Sequence, residues 1–268
     1  MLIDTHCHIH ERDFPLNRGE VLTACATADV TRIICVGTSM ESSRDAINFA
    51  KKLNGKLGVK IFAALGVHPH ETADFSRKDL DELEKLIREN PKIIKGVGEI
   101  GLDYFYEFSP RETQIKVLEM QLQLAIDFNL PVSFHVRDSR DSDQEVWRDF
   151  WPVVNNFREK KLRAVLHSYT EQNRENLAES LAHNFYFGVN GISTFAKSDE
   201  QNLWRDIPLA KIVLETDAPF LAPVPFRGQP NQPSFIPQIA KNLAKIKSEN
   251  YDEIAKTTTA NAEKLFSL

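Results

Sequence analysis

Leu2-Ile3-Asp4-Thr5-His6-Cys7-His8 is the stretch on which the reading of the fold turns. Short apolar residues run straight into two histidines one residue apart. A doubly wound sheet that binds a dinucleotide would carry a glycine-rich turn after its first strand, and none stands here. On an extended chain, residues two apart share a side, so His6 and His8 aim their imidazoles at one spot. Two neutral imidazoles converging in this way form half of a divalent-metal site. Taken alone, a His-x-His is more often the polar end of a surface strand. The missing ligands must come from elsewhere in the chain.

Seven more apolar segments follow. Residues 32–37 form the second strand, after a helix over 20–28, and Ser42 caps a helix that runs through Lys52. The third strand, 60–67, ends at His68-Pro69-His70; an amphipathic helix over 77–90 is stopped by Pro91. The fourth, 93–98, runs into Glu99-Ile100-Gly101-Leu102-Asp103-Tyr104. Ser109-Pro110-Arg111-Glu112 reads as a capping box with proline at the first helical position, opening a helix to Phe128. Strands five to eight are 131–136, 163–167, 185–189 and 211–215, with helices over 144–156 and 171–182 among them. Helices over 237–247 and 252–266 come after the eighth strand.

Eight apolar strands, most followed by a helix and spaced by about 25 to 35 residues, are the pattern of an α/β (β/α)8 barrel. The expectation is a single domain over residues 1–268, preferred to an open doubly wound sheet because the strand count is eight. The Pro/Gly-rich segment 219–237 reads as an active-site loop rather than a linker, since helices follow it.

Composition agrees. The 268 residues are 42% hydrophobic and 26% charged, ordinary for a globular chain with a large core. A net charge of -5 offers no general attraction to nucleic acid or membrane, so an anionic substrate must be held locally, with metal ions supplying positive charge. No stretch has the roughly 18 consecutive apolar residues of a membrane span, and the N-terminus lacks the basic start and apolar run of a signal peptide. The three cysteines have neither metal-finger nor redox spacing. Cys7 alternates away from His6 and His8 and reads as a packing thiol. The expectation is a cytoplasmic enzyme with reduced thiols, no membrane partner and no obligate protein partner.

The barrel then places the candidate ligands. His6 and His8 end strand one, Glu99 strand four, His135 strand five and His167 strand six, while Asp217 follows strand eight. All lie at carboxyl ends, the face on which such barrels do chemistry. Of the eight histidines, only His183 falls on the opposite side of its nearest strand. Six ligands suit two divalent ions sharing a carboxylate. Glu99, on the strand between the two groups, is the natural bridge. His6, His8, Glu99 and Asp217 are assigned to one ion, and Glu99, His135 and His167 to the other, each ion keeping open positions. Hydrolysis is the expected chemistry, with Glu99 and Asp217 as catalytic residues and Asp217 taking a proton from the attacking water. Imidazoles favour Zn²⁺ or Mn²⁺ by affinity, and phosphate chemistry favours Mg²⁺.

Several of these stretches belong together in another way. Asp4-Thr5-His6-Cys7-His8, Gly66-Val67-His68-Pro69-His70, Gly98-Glu99-Ile100-Gly101-Leu102-Asp103-Tyr104, His135-Val136-Arg137 and Glu215-Thr216-Asp217-Ala218-Pro219, continuing to Leu221-Ala222-Pro223 and Arg227-Gly228, resemble the TatD-related metal-dependent deoxyribonucleases of the amidohydrolase superfamily. The resemblance spans nearly the whole chain. It implies a TIM barrel, the ligand set His6, His8, Glu99, His135, His167 and Asp217, and 3′-to-5′ exonuclease activity on DNA, often supported by magnesium. Two departures bear on specificity. That family usually follows the sixth-strand histidine with Cys-Phe-Ser/Thr-Gly, where this chain has Ser168-Tyr169-Thr170-Glu171, and a histidine commonly precedes Arg-Gly, where this chain has Phe226.

Substrate-binding candidates surround the ligands. His68 could hydrogen-bond a phosphate or leaving group, and Asp103 could orient a water or a ligand histidine. Arg137 shares a side with His135 and could clamp phosphate, although Asp138 or Asp141 could pair with it instead. Arg227, beside Gly228 on the loop after strand eight, is a second phosphate candidate. Tyr104, Phe105 and Tyr106 could stack on bases. Single-stranded DNA ends are the expected substrate. An amide or ester hydrolase acting on a small molecule or aminoacyl group is the alternative, because the same barrel and ligands serve both chemistries.

Overall fold

Alternation along eight short strands decides which side chains enter the barrel and which pack under the helices. A computed structural model describes residues 1–106, 108–141 and 144–268. The strands are β1 (Leu2–Cys7), β2 (Val30–Val36), β3 (Lys60–Leu65), β4 (Ile94–Asp103), β5 (Val132–Arg137), β6 (Ala164–Leu166), β7 (Tyr186–Val189) and β8 (Ile212–Leu214). They pair in chain order, all parallel. The ring closes where Cys7 bridges Ala218, with His8 N donating to Ala218 O at 2.7 Å and Asp217 N to His6 O at 2.9 Å. Ile34, Val36, Ala64, Val165 and Val213 point inward in one apolar group with Leu265 and Phe266 of the last helix, which plug the barrel. Their sequence neighbours Ile33, Cys35, Ala63, Leu166 and Leu214 face out into the larger core beneath the helices. This is the (β/α)8 barrel expected from the strand count.

The helices α1 (Arg18–Thr27), α2 (Met40–Leu53), α3 (Arg77–Glu89), α4 (Arg111–Asp127), α5 (Glu145–Asn155), α6 (Arg174–Ala182), α7 (Asn202–Asp206), α8 (Ile236–Lys247) and α9 (Tyr251–Phe266) form the outer layer. In α3, Leu80, Leu83 and Ile87 are the buried stripe, each worth about 1.5–3 kcal/mol when fully withdrawn from water. Two caps differ from the sequence reading. Ser39, not Ser42, caps α2, its side chain accepting from Ser42 N at 3.1 Å. Ser109 does not cap α4 either. Its hydroxyl donates to His70 O at 2.8 Å and accepts from Ala73 N at 3.1 Å, tying the loop after β3 to the loop after β4. A tertiary bond has taken the group that local spacing assigned to a capping box.

The largest departure is in β4. The sequence ends that strand at Gly98, yet β4 continues to Asp103 and Glu99 sits in its middle. The pairing to β5 shifts register between Val97 and Ile100, and Glu99 N donates to Gly37 O at 2.8 Å. A register irregularity of this kind re-aims a side chain, and here the side chain is Glu99.

Candidate metal centre

Each imidazole in the mouth of the barrel is held by its outer nitrogen, which leaves the inner one to face its neighbours. His8 Nδ1 donates to Val36 O at 2.8 Å, so in the neutral ring Nε2 keeps its lone pair. His6 Nδ1 meets Ser133 Oγ at 3.2 Å. The two Nε2 atoms stand 3.1 Å apart. Carboxylate oxygens complete the group, with Glu99 Oε2 at 3.3 Å from His6 Nε2 and 3.7 Å from His8 Nε2, and Asp217 Oδ1 at 3.9 and 3.4 Å. Lone pairs and negative charge gathered so closely repel one another unless a cation lies between them. Ligand atoms about 3–3.5 Å apart are what a divalent ion with bonds of about 2.0–2.2 Å collects.

Glu99 faces two ways. Its other oxygen, Oε1, lies 2.9 Å from His135 Nδ1, 3.7 Å from His68 Nε2 and 3.9 Å from His167 Nε2. Four compact groups of potential ligand atoms result among the described residues: His6–His8–Glu99 and His68–Glu99–His135, which share Glu99, and beside them His6–His167–Glu215 and His68–His70–Asp103. His167 stacks on His6, ring centroids 3.6 Å apart, and its Nε2 is 3.7 Å from Asp217 Oδ1. The six candidate ligands named from sequence are therefore in one cluster, but His167 stands nearer the first group than their division between two ions supposes.

Sequence reasoning gave no role to Glu215, although it stands two residues after inward-facing Val213 and so points the same way. Its Oε1 accepts from Ser168 N at 2.6 Å and makes a charge contact with His167 Nδ1 at 2.9 Å. The adjacent strand makes room for it at Gly188, where a Cβ would come within 2.3 Å of Glu215 Oε2. Asp4 was also passed over. It accepts from Thr216 N at 3.0 Å and Thr216 Oγ1 at 2.5 Å, clasping β1 to the chain that carries Asp217.

Asp103 is fully buried rather than turned toward substrate. Oδ2 accepts from His135 Nε2 at 2.8 Å, while Oδ1 accepts from Phe105 N and Tyr106 N, each at 2.9 Å. His70 Nε2 lies 3.0 Å from the same Oδ2. A carboxylate behind a histidine fixes its tautomer and orientation, so Asp103 positions His135. His68 lies over His135, ring centroids 4.4 Å apart, with Nδ1 accepting from His70 N.

Protonation follows from this packing. Burial works against the imidazolium of His135, but Asp103 and Glu99 on its two sides outweigh it and lift the pKa to about 9. Burial likewise opposes a charged His167, and Glu215 and Asp217 overcome it, raising the pKa to about 10. His68 goes the other way, pushed well down by burial and by charged His135. Burial would raise Glu99 and Asp217, yet the surrounding histidines keep both below the usual carboxylate range. Without metal, protons on His135 and His167 offset part of the negative charge of the centre.

The arginine candidates separate. Arg137 lies over Phe105 at 4.0 Å and over Tyr106 at 5.0 Å, beside a cavity that reaches His167. Arg227 lies over Phe195 at 3.9 Å and donates to Ala222 O at 3.1 Å, so it braces its own loop. Tyr104 is buried, its hydroxyl donating to Asp149 Oδ2 at 2.6 Å. Both departures from the family pattern are accommodated by packing: Tyr169 sits against Phe187, and Phe226 stacks on Phe235 at 4.0 Å. The aromatic 147–151 segment packs as well, with Trp147 and Phe150 buried and Trp151 stacked on His183. No helix among the described residues is long and apolar enough to cross a membrane.

A family model described as TatD related DNase matches residues 3–267. Among similar proteins, the uncharacterised metal-dependent hydrolase YabD of Bacillus subtilis is 32% identical over 270 residues, covering 99% of each chain. A protein of Erwinia tasmaniensis named 3′-5′ ssDNA/RNA exonuclease TatD is 30% identical over 273 residues, covering 100% of both. The crystal structure of YJJV, a TatD homologue from Escherichia coli K12, superposes with a TM-score of 0.85 at 30% identity, covering 100% of this chain and 98% of that one. These likenesses and the donor set together indicate a hydrolase that uses divalent metal.

Proposed function

This chain belongs to the TatD related DNase family, and from that premise we propose that it is a 3′-to-5′ exonuclease acting on single-stranded DNA ends with two divalent ions, drawn from Mg²⁺, Mn²⁺ or Zn²⁺. The observation that carries the two-ion reading is the double aspect of Glu99, with Oε2 toward His6 and His8 and Oε1 toward His135. His6, His8, Glu99 and Asp217 would hold one ion and Glu99 and His135 the other, with His167 Nε2 between them, 3.7 Å from Asp217 Oδ1 and 3.9 Å from Glu99 Oε1. When bound, such a pair polarises the phosphoryl group and makes water acidic enough to attack near neutral pH.

The chain's own groups supply the rest. Asp217 is ionised and has a side chain 14% exposed against 6% for Glu99, so it is the carboxylate that meets solvent and takes the proton from the attacking water. Neutral His68, at the edge of the cluster, is placed to donate a hydrogen bond to the phosphate or to the departing oxygen. Arg137, at the rim, adds a positive charge for the strand. The relatives named as exonucleases favour this reading over an amide or ester hydrolase.

End-labelled single-stranded DNA incubated with the protein and Mg²⁺ or Mn²⁺ should shorten stepwise from its 3′ end, and a chelator should abolish the shortening. Intact DNA at high enzyme concentration, with hydrolysis of ester or amide substrates instead, would reverse the assignment.

A further inference from the structure

Beside the metal centre lies a cavity of about 520 Å³ that opens past His167 between the loops after β5 and β6, within the range of about 300–1,000 Å³ typical of small-molecule sites. One wall is Phe105, and two guanidinium groups stand on that single ring, Arg137 at 4.0 Å and Arg140 at 5.0 Å from its centroid. Among the described residues neither has a carboxylate partner. Asp138, between them in sequence, spends its oxygens on Ser139 N, Gln144 N and Val146 N. Glu171 across the cavity accepts from Asn173 N. Two like charges gathered on one ring without a counter-ion repel each other, and a bound anion relieves that repulsion. The facing wall is polar. Gln144 Oε1 accepts from Asn173 Nδ2 and Asn176 Nδ2, which leaves the Gln144 amide hydrogens as donors.

We propose that this cavity seats the nucleotide on the 5′ side of the bond being cut, with Arg137 and Arg140 holding that nucleotide's own 5′-phosphate. The inference rests on the exonuclease reading above. In removal from a 3′ end, the departing nucleoside carries only a hydroxyl beyond the scissile phosphate. Its 5′ neighbour alone brings a second phosphate within reach of the arginine pair. Phe105 and the amide wall bound a space for one base, not for a base pair, which selects single strands.

Thymidylyl-thymidine with and without a 5′-phosphate tests this directly. The native enzyme should show a KM roughly tenfold lower for the 5′-phosphorylated dinucleotide, the size expected of charge-assisted hydrogen bonds at a rim. Arg137→Gln with Arg140→Gln should erase the difference, Arg137→Lys with Arg140→Lys should restore part of it, and Lys78→Gln on exposed α3 should leave it unchanged. Calorimetric titration of metal-free protein should show the same contrast between 5′-dTMP and thymidine, independently of turnover. Cleavage of single strands with no 5′-phosphate preference would overturn the subsite and leave the exonuclease reading intact. Failure to cleave any strand would overturn both.

Discussion

Replacing Asp103 by Asn tests the centre at a residue that need touch neither metal nor substrate. The carboxylate has one oxygen on His135 Nε2 at 2.8 Å and the other on two backbone N–H groups at 2.9 Å. An amide keeps only one acceptor. If its oxygen stays with the backbone, the NH₂ meets His135 Nε2–H, and the ring must protonate Nδ1 instead, removing the lone pair that faces Glu99. If the amide turns over, its NH₂ confronts two backbone donors. The first arrangement puts a proton on the nitrogen meant for the ion, and the second buries the NH₂ against backbone donors, at about 1–3 kcal/mol. Loss of a carboxylate behind a ligand histidine typically weakens metal binding 10–100-fold, or about 1.4–2.7 kcal/mol. Calorimetric titration of the metal-free variant with Mn²⁺ or Zn²⁺ should therefore show one of two sites weakened by that factor, with the second little changed. The melting temperature should fall by about 2–4 °C for each kcal/mol. A folded Asp103→Asn protein with two sites of native affinity would refute the assignment of His135 Nδ1 as a ligand and of Asp103 as its support.

Glu99→Ala should lose both ions together, because its two oxygens serve both groups; full occupancy by metal analysis would show that it is not a bridge. Asp217→Asn should retain some metal while turnover falls by about 10²–10⁴, the usual contribution of a positioned base; turnover within tenfold of native would assign the proton to another group. The pH dependence should have opposite signs with and without metal. His135 and His167 have pKa values raised to about 9 and about 10, so in metal-free protein their stabilisation is complete below about pH 6.5 and is lost as pH rises through those values. Metal must displace these protons, so its affinity should instead rise across the same window. Thermal melts from pH 6 to 10, with and without saturating metal, would expose a common sign if the histidines are not ligands.

Most of the fold was legible because barrel strands have a short-range signature. A segment such as Ile33–Val36, apolar on both faces, reads as a buried strand wherever it occurs, and eight of them leave few architectures. The clustering of the candidate ligands was legible for a related reason. His6, His135 and His167 are polar residues at the ends of apolar runs, which the barrel gathers on one rim. Caps fared worse. Ser109 has the correct spacing for a capping box, and only the tertiary placement of His70 and Ala73 draws it away. Strand-end arithmetic also failed at β4, where an irregularity in pairing with β5 carries Glu99 inside the strand without any change in residue type to announce it.

What spacing could not convey is which atom of a residue faces which neighbour. Glu99 was named as a bridge from its place in the ring, but bridging requires its oxygens to diverge, and that depends on the shifted register of β4. The histidines show the same dependence. His8 offers Nε2 because Val36 O holds Nδ1, whereas His135 offers Nδ1 because Asp103 holds Nε2. Opposite tautomers are thus set on two rings of identical sequence identity by partners 28 and 32 residues away. The outer partners Val36, Ser133, Asp103 and Glu215 convert a ring of polar side chains into a set of aimed lone pairs. A barrel that kept all six ligands but lost these contacts would retain the residues of a metal centre without its geometry.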